Sequence, residues 1–331
     1  MVTPSASLRP SASYNSSSST STSSVCSAAA VPTESWLDNC IPCENQGWGK
    51  FCGGNITTNY YTFTPKTCRV VHYELDITNV TLSPDGVPRM VLAVNGQMPG
   101  PPIRASWGDT VVVKVNNKLE NNGTSIHFHG LRQLNNSEND GVSSITQCPI
   151  APGESMTYQW VAENYGTSWY HSHYVVQTWA GVMGPLIIDG PHSAEFDEEL
   201  DPIFLTDWSH ETVDTKFSRA QNATQKPGQP KGVTFGGIPT MDNGLINGQN
   251  VWGADGSANQ TGSRARFNFK PGKKHLLRIV NGAIQASYKF QIDGHKMTVI
   301  QADFVPIVPY ETTILNINIG RWYDSTVWNL C

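Results

Sequence analysis

The stretch Val70-Val-His-Tyr-Glu-Leu-Asp-Ile77 alternates apolar and polar residues, and so does Thr110-Val-Val-Val-Lys-Val-Asn116. Alternation with a period of two predicts strands with one buried face. Met156-Thr-Tyr-Gln-Trp-Val161 and Pro185-Leu-Ile-Ile-Asp189 are further β-rich runs, and turn clusters such as Ser83-Pro-Asp-Gly86 separate the runs. Short strands with such turns predict a β-sandwich or barrel, and no long segment has the helical period of 3.6.

A second series of strand-like runs begins after Gly190-Pro191. Its predicted strands are Pro202-Ile-Phe-Leu-Thr206, Ala265-Arg-Phe-Asn-Phe269, Lys274-His-Leu-Leu-Arg-Ile-Val280, Met297-Thr-Val-Ile-Gln301 and Thr313-Ile-Leu-Asn-Ile-Asn-Ile319. Only a dozen residues follow the last run, which leaves the second domain short of the strands that close a sandwich. We therefore expect an all-β chain with domains at 36–190 and 191–331, the second incomplete, after a Ser/Thr-rich disordered segment at 1–35.

The composition limits the partners that the chain can have. Charged residues make up 15% of the 331 residues, below the roughly 25% of typical soluble domains, and the net charge is −5. This balance does not indicate a surface for nucleic acid or an anionic membrane. No apolar run approaches the ~20 residues that span a bilayer. We expect neither a nucleic-acid nor a membrane partner.

Acceptor motifs for N-glycosylation recur along the chain. They begin at Asn15, Asn55, Asn79, Asn122, Asn135, Asn222 and Asn259. So many acceptors, with little Lys or Glu, favour N-linked glycans and secretion to the extracellular space. The Ser/Thr-rich start of the chain does not resemble a signal peptide, because its apolar run at 25–31 is short and no basic cluster precedes it.

The cysteines are seven, an odd number: Cys26, Cys40, Cys43, Cys52, Cys68, Cys148 and Cys331. Three of them, Cys40, Cys43 and Cys52, crowd a Gly-rich loop, which favours a disulfide in an oxidising compartment. Zinc binding through Cys40-Ile-Pro-Cys43 is the alternative, although no second CxxC motif or His pair lies nearby. The odd cysteine implies a free thiol, an external partner or missing sequence.

Two short segments carry paired histidines, His127-Phe-His129 and His171-Ser-His173. On a strand, this spacing points both imidazoles to one face, about 7 Å apart along the chain. If two neighbouring strands carry the pairs, four imidazoles converge, and neutral imidazole binds zinc, copper, iron or nickel. One such pair is most often incidental, but two among nine histidines predict a metal site. The remaining histidines are isolated and receive no role: His72, His192, His210, His275 and His295.

The surroundings of these histidines resemble the copper signatures of laccases. The first signature is matched by His127-Phe-His-Gly…Asp140-Gly…Gln147-Cys-Pro-Ile150 and the second by Gly166-Thr-Ser-Trp-Tyr-His-Ser-His173. Further segments similar to ascomycete-type laccases and related oxidases are Val94-Asn-Gly-Gln-Met-Pro-Gly-Pro101, Trp107-Gly-Asp-Thr110, Asp242-Asn-Gly-Leu-Ile-Asn-Gly248 and Met297-Thr-Val-Ile-Gln-Ala-Asp-Phe-Val-Pro306. The resemblance to the multicopper oxidase family extends over roughly residues 40 to 323.

The resemblance implies tandem cupredoxin-like Greek-key domains. In that family, a type 1 copper in a third domain takes electrons from phenols or similar small aromatic donors. A trinuclear copper cluster between the first and third domains reduces oxygen to water. Carried over by position, His127 is a ligand of the type 2 copper, and His129, His171 and His173 are ligands of the type 3 pair.

Other positions gain a meaning only through the resemblance. Asp140 matches an acidic residue that assists proton delivery near the type 2 copper, although an Asp before Gly141 is also an ordinary turn residue. Cys43 and Cys52 resemble an N-terminal disulfide of ascomycete members. Cys148 resembles a cysteine that bonds to the far C-terminus in that family.

Three departures from the family pattern matter. Phe128 stands where laccases usually have Trp, and Cys68 stands where relatives commonly have Gly. No cysteine is flanked by histidines, so a type 1 site is not expected in this chain. The chain then supplies half of a cluster, and two hypotheses follow: a laccase-like oxidase in truncated form, or an inactive copper-binding fragment or truncated gene model. Ascorbate oxidase and ferroxidase activities remain open within the family.

Overall fold

The computed structural model describes residues 49–221 and 240–328. The strands are β1 (Lys50–Phe51), β2 (Gly54–Asn55), β3 (Val70–Leu82), β4 (Arg89–Val94), β5 (Ile103–Ser106), β6 (Thr110–Asn117), β7 (His127–Phe128), β8 (Ser155–Val161), β9 (Gly166–His171), β10 (Met183–Asp189), β11 (Glu198–Glu199), β12 (Ile203–Trp208), β13 (Asn243–Ile246), β14 (Val251–Trp252), β15 (Thr261–Gly262), β16 (Lys274–Asn281), β17 (Tyr288–Phe290), β18 (Met297–Ala302), β19 (Val305–Thr312), β20 (Leu315–Ile317) and β21 (Trp322–Trp328). The α-helices are α1 (Gln177–Ala180) and α2 (Val213–Gln221). Among the described residues, no helix has the length and apolar character needed to cross a bilayer.

Several sequence predictions concern residues outside these ranges. They are the disordered segment 1–35, the glycosylation motifs at Asn15 and Asn222, and Cys26, Cys40, Cys43 and Cys331. The all-β fold class is confirmed for the described part of the chain, because strands dominate it and its helices are short.

The first unit, residues 70–189, is a sandwich of two four-stranded sheets. One sheet has the order β4-β3-β6-β8 and the other β5-β10-β9-β7. In the first sheet β3 lies parallel to β6, whereas β4 and β8 run antiparallel to their neighbours. This non-sequential order is typical of Greek-key sandwiches.

The predicted alternation builds the core between these sheets. On β6, Val111, Val113 and Val115 are fully buried, whereas Lys114 points to solvent. From the opposite sheet, Leu186 of β10 is fully buried in the same core. Each such side chain contributes about 1.5–3 kcal/mol on burial, so the alternating pattern decides which face of each strand points inward.

The second unit, residues 198–328, is built on one larger sheet. Its order is β13-β12-β16-β21-β18-β19, and β11 also pairs with β16. Leu277 and Ile279 of β16 pack with Met297 and Val299 of β18 in a separate core. The predicted strands at Pro202–Thr206, Lys274–Val280 and Met297–Gln301 are confirmed as β12, β16 and β18.

Two strand predictions in this unit need correction. The run 265–269 has the expected alternation, with Phe267 and Phe269 half-buried against the second core. It is nevertheless not a strand, because none of the described strands pairs with it and alternation alone does not supply backbone partners. The run 313–319 forms a strand only at Leu315–Ile317, where it pairs with β17.

The second unit repeats the local geometry of the first. Asn95 and Asn247, each followed by glycine, both have φ of 51°. The Asn95 side-chain oxygen accepts the Asp76 N–H at 2.6 Å, and that of Asn247 accepts the Phe204 N–H at 2.7 Å. By this correspondence β12 and β13 match β3 and β4. The described part of the second unit ends at β21, the counterpart of β8, and holds no counterpart of β9 and β10.

Strand β9 lies at a contact between the two units. All six of its residues are buried, although a strand at a sandwich surface has one exposed face. Tyr170 faces the core of the first unit. On the opposite face Thr167 bonds to Asp324, and Trp169 lies edge-on to Phe204 of the second unit, with ring centroids 6.1 Å apart.

A buried arginine ties the units together next to β9. The Arg278 side chain is 0% exposed. Its Nε donates to Glu199 at 2.7 Å, and its Nη1 donates to Asp324 and to the Thr167 hydroxyl, both at 3.1 Å. Its Nη2 approaches Asp189 at 3.4 Å. Because Asp189 and Thr167 belong to the first unit, this guanidinium holds the interface together.

We predict that Arg278→Met lowers the free energy of unfolding by about 3–5 kcal/mol, because it leaves the buried Asp324 carboxylate without its cation. The matched control is Arg104→Met. Arg104 pairs with Asp189 and Glu199, but its side chain is 47% exposed, so its loss should cost less than about 1 kcal/mol. Urea unfolding measures both, and equal losses would contradict the buried role of Arg278.

Candidate metal centre

The two histidine pairs lie on neighbouring strands, as their spacing predicts. His127 begins β7 and stands opposite His171, the last residue of β9. His129 and His173 follow the ends of these strands. Phe128 points the other way and is 1% exposed in the first core, so the alternation places its aromatic ring inside and the histidines outside.

The four imidazoles form one cluster. The His127 ring centroid lies 5.8 Å from that of His129, 5.3 Å from that of His171 and 5.6 Å from that of His173. The His129 and His171 centroids are 5.3 Å apart, and those of His171 and His173 are 6.1 Å apart. Ligand atoms of His127, His129 and His171 all lie within 4.8 Å of one another. The spacing suits metal ions shared between rings.

Two of the rings are oriented by acceptors on their outer nitrogens. The Nδ1 of His127 lies 2.6 Å from the Asp140 carbonyl. The Nδ1 of His171 lies 3.0 Å from the Ser172 carbonyl and 3.2 Å from the Thr178 hydroxyl. A histidine that donates through one nitrogen presents the other to a metal, so both rings present Nε2 to the cluster.

His129 is oriented the other way round. Its Nδ1 lies 3.1 Å from the Nε2 of His171. Two nitrogens bound to one ion at about 2.0 Å, roughly 100° apart, are separated by about 3.1 Å. The spacing therefore fits one metal ion held by Nδ1 of His129 and Nε2 of His171.

Asp140 lies next to His127 and is also a turn residue. It follows a 3₁₀ turn at Ser137–Asn139, and its carboxylate lies 3.4 Å from the His127 Nδ1. The next residue, Gly141, has φ of 80°, and a Cβ there would meet the Ile126 carbonyl oxygen at 1.8 Å. Only glycine fits, so the turn that places Asp140 beside His127 depends on Gly141.

The loop that carries His173 is fixed by the buried amide of Gln177. Its side-chain oxygen accepts hydrogen bonds from Thr124 at 2.8 Å and Ser172 at 2.9 Å. Its nitrogen donates to the Gly123 carbonyl at 2.7 Å. A buried amide with three hydrogen bonds is costly to displace, so α1 holds both histidine segments in register.

Three of the four histidines are held neutral. Burial lowers the pKa of His127, lowers that of His129 to about 4 and lowers that of His171 to about 3, and the neighbouring imidazoles add to these effects. Arg321, across the cleft, also lowers the pKa of His129. A neutral imidazole keeps the lone pair that binds a metal.

The cluster opens into a cleft of about 500 Å³. The second unit contributes Ile319, Gly320 and Arg321 to its wall, and the first unit contributes Trp169 and Trp179. Sequence reasoning named the four histidines and Asp140 but missed this contribution of the second unit. It also missed Thr178, which lies in helix α1 shortly after the His171–His173 segment. A polar residue at this position was the available signal.

We predict that the metal-free chain loses stability as the pH falls from 7 to 5. Below about pH 6.5 the histidines of the unfolded chain become protonated, whereas the buried rings of the folded chain stay neutral until the pH is much lower. The free energy of unfolding therefore falls with the pH. Buried His171 alone accounts for about 2 kcal/mol at pH 5. In His171→Gln, the decrease in the free energy of unfolding between pH 7 and pH 5, measured by urea unfolding, should be smaller by that amount. His72→Gln, at an exposed position, should behave as the wild type; equal losses in both variants would contradict the account.

Known proteins resemble the chain over most of its length. Family models described as multicopper oxidase match residues 76–193 and 199–327. Laccase-1 of Botryotinia fuckeliana is 45% identical over 306 residues, which are 91% of this chain and 50% of that protein. Dihydrogeodin oxidase of Aspergillus terreus is 44% identical over 264 residues, 78% of this chain and 42% of that protein.

The crystal structure of the laccase from Botrytis aclada has a TM-score of 0.75 and 43% identity, covering 84% of this chain and 50% of that one. The chain spans about half the length of the curated relatives it matches. The two family matches together cover well over half of the chain. The chain therefore belongs to the multicopper oxidase family.

Proposed function

We propose that the chain supplies half of the ligand set of a trinuclear copper cluster in a laccase-like oxidase. His127 is the ligand of the type 2 copper, and His129, His171 and His173 are ligands of the type 3 pair. The convergence of four imidazoles in one cluster beside the cleft carries this proposal. Their donor chemistry fits copper, and the 3.1 Å between His129 and His171 nitrogens fits a shared ion.

The residues around the cluster orient the histidines and shield them from water. When bound, the copper ions supply the four-electron reduction of oxygen to water. The carbonyls of Asp140 and Ser172 fix the tautomers of His127 and His171. Trp169 stacks on His129 and His171, with ring centroids 5.2 and 4.2 Å away, and keeps water from that side of the rings.

Asp140 is proposed to hold or move a proton beside the type 2 site. Its carboxylate is within reach of the His127 Nδ1, and its side chain is 29% exposed. A group that contacts both the ligand and solvent can exchange protons between them. The turn before Gly141 explains why the Asp140 backbone carbonyl faces His127. The turn does not require the Asp140 carboxylate, which is therefore available for a second role.

Phenols or similar small aromatic donors, and oxygen as acceptor, are the substrates proposed for the complete oxidase. The chain contains no cysteine between histidines for a type 1 copper. We propose that it does not oxidise phenols by itself, and that a longer protein supplies the remaining ligands. The alternative is a catalytically inactive copper-binding fragment or a truncated gene model. Ascorbate oxidase and ferroxidase activities are alternatives within the family.

We further propose that the protein is secreted and carries N-linked glycans. Cys52 and Cys68 each take part in a disulfide bond, which supports an oxidising compartment. The acceptors Asn55, Asn79 and Asn122 are exposed, which suits glycans. Domain boundaries at 36–190 and 191–331 are supported by the family matches at 76–193 and 199–327.

Copper retention is the first test of the proposal. We predict that the chain, loaded with copper and dialysed against a weak chelator, keeps at least about one copper per molecule, since burial keeps His127, His129 and His171 neutral. His129→Gln should lower retention at least about tenfold, and exposed His72→Gln should not change it. Elemental analysis of the dialysed proteins measures this, and equal retention in all three would contradict the assigned ligands.

Phenol turnover is the second test. Copper-loaded chain should show neither the intense blue absorption of a thiolate–copper site nor oxygen uptake with phenols, because the chain has no cysteine between histidines. Absorption spectroscopy and an oxygen electrode measure the two properties. Blue colour together with oxygen uptake would show that the chain is an oxidase without further sequence.

A further inference from the structure

The imidazole of His129 is enclosed by residues from both units. On one side, Trp169 of the first unit stacks on it, with an angle of 25° between the rings. On the other side, Trp322 of the second unit meets it edge-on, with ring centroids 5.6 Å apart and an angle of 87°. The first unit also holds the His129 backbone, whose carbonyl accepts the Ser168 hydroxyl at 2.5 Å.

Trp322 is supported by an unusual turn. Strands β18 and β19 are joined by two residues, Asp303 and Phe304, which have φ of 47° and 66°. This left-handed conformation is uncommon for a bulky aromatic residue and costs on the order of 1–3 kcal/mol. Phe304 is nevertheless 2% exposed, whereas the next residue, Val305, is 47% exposed. The surroundings therefore hold Phe304 inward against its backbone preference.

Both residues of the turn contact Trp322 or its neighbour Arg321. The Phe304 and Trp322 ring centroids are 5.1 Å apart. The Asp303 N–H donates to the Trp322 carbonyl at 3.2 Å, and the Asp303 carboxylate accepts from Arg321 at 2.7 Å. Phe304 and Trp322 form what we call the aromatic wedge, and both side chains are buried.

The wedge reaches the copper signature of the first unit at Gly130. A Cβ at this glycine would lie 2.8 Å from a ring carbon of Trp322 and 3.1 Å from one of Phe304. Gly130 also has φ of 78°. The residue after His129 thus needs to be glycine, in part because the wedge packs on its backbone.

The second unit also approaches the edge of the His129 ring that carries Nε2. A Cβ built on Gly320, two residues before Trp322, would lie 3.8 Å from the His129 Cε1 and 3.9 Å from its Nε2. The Nδ1 faces His171 instead, at 3.1 Å. Because His171 donates from its own Nδ1 to Ser172, the metal-free contact runs from the His129 Nδ1–H to the His171 Nε2.

We propose that the aromatic wedge of the second unit is a positioning element that holds His129 with Nδ1, rather than Nε2, towards the metal. The second unit then takes part in the copper centre without providing a ligand. This inference rests on the proposed copper site for its function, but the ring orientation it describes exists in the metal-free chain.

The test compares Trp322→Leu with two controls. Trp322→Phe keeps an aromatic edge beside His129, and it removes no hydrogen bond because the Trp322 indole nitrogen has no partner among the described residues. Leu315→Ala removes a buried side chain from the separate second core, and it controls for loss of stability. Two-bond ¹H–¹⁵N spectra of the imidazoles, with His129→Gln for assignment, report which nitrogen of His129 carries the proton.

In the wild type, Trp322→Phe and Leu315→Ala, we expect a single His129 tautomer, with the proton on Nδ1 without metal and on Nε2 after loading with Cu(I). In Trp322→Leu we expect both tautomers, and Cu(I) affinity in a chelator competition should fall at least about tenfold. A single unchanged tautomer in Trp322→Leu, or an equal disturbance in Leu315→Ala, overturns the proposal. If the metal-free spectra follow expectation but no variant binds Cu(I), the positioning is supported and the proposed copper function fails.

Discussion

The burial of β9 on both faces is the constraint on which the rest of the molecule depends. One face of this strand completes the core of the first sandwich through Tyr170. Because side chains alternate along a strand, the other face carries Thr167, Trp169 and His171 in a row. These three residues respectively bond to the second unit, stack on His129 and face the metal cleft. Domain contact and the proposed metal ligation therefore share one face of one strand.

Charges at the unit boundary are arranged as one buried network and one buried pair. Arg278 is surrounded by carboxylates of both units. At a second contact, the fully buried Asp85 of the first unit accepts from His210 at 2.8 Å and from Asn243 at 3.1 Å. Burial opposes ionisation of Asp85, but these hydrogen bonds prevail and lower its pKa. Polar contacts of this kind fix orientation more than they add stability, which suits an interface that positions histidines.

Much of this organisation could be predicted from local sequence. The strand alternation at Val70–Ile77 and Thr110–Asn116 identified β3 and β6, because each has one apolar face. The spacing of His127, His129, His171 and His173 predicted convergence, since a period of two places both members of a pair on one side. The prediction of a strand at 265–269 was wrong, because a local pattern does not reveal whether another strand pairs with the run.

The contribution of the second unit to the centre could not be predicted in the same way. Phe304 and Trp322 are far from His129 in the sequence, and both look like ordinary core residues of a β domain. The one local signal was Arg278 within the apolar run Lys274–Val280. A charge in a buried strand requires partners, but the sequence does not say that those partners, Asp189 and Thr167, lie across a domain boundary.

The most direct measurement of the central claim is an anomalous diffraction map at the copper edge from crystals of the copper-loaded chain. The account predicts a copper peak between Nδ1 of His129 and Nε2 of His171, about 2 Å from each nitrogen. A map with no peak in this cleft, or with copper bound only to cysteine sulfur elsewhere, would contradict it.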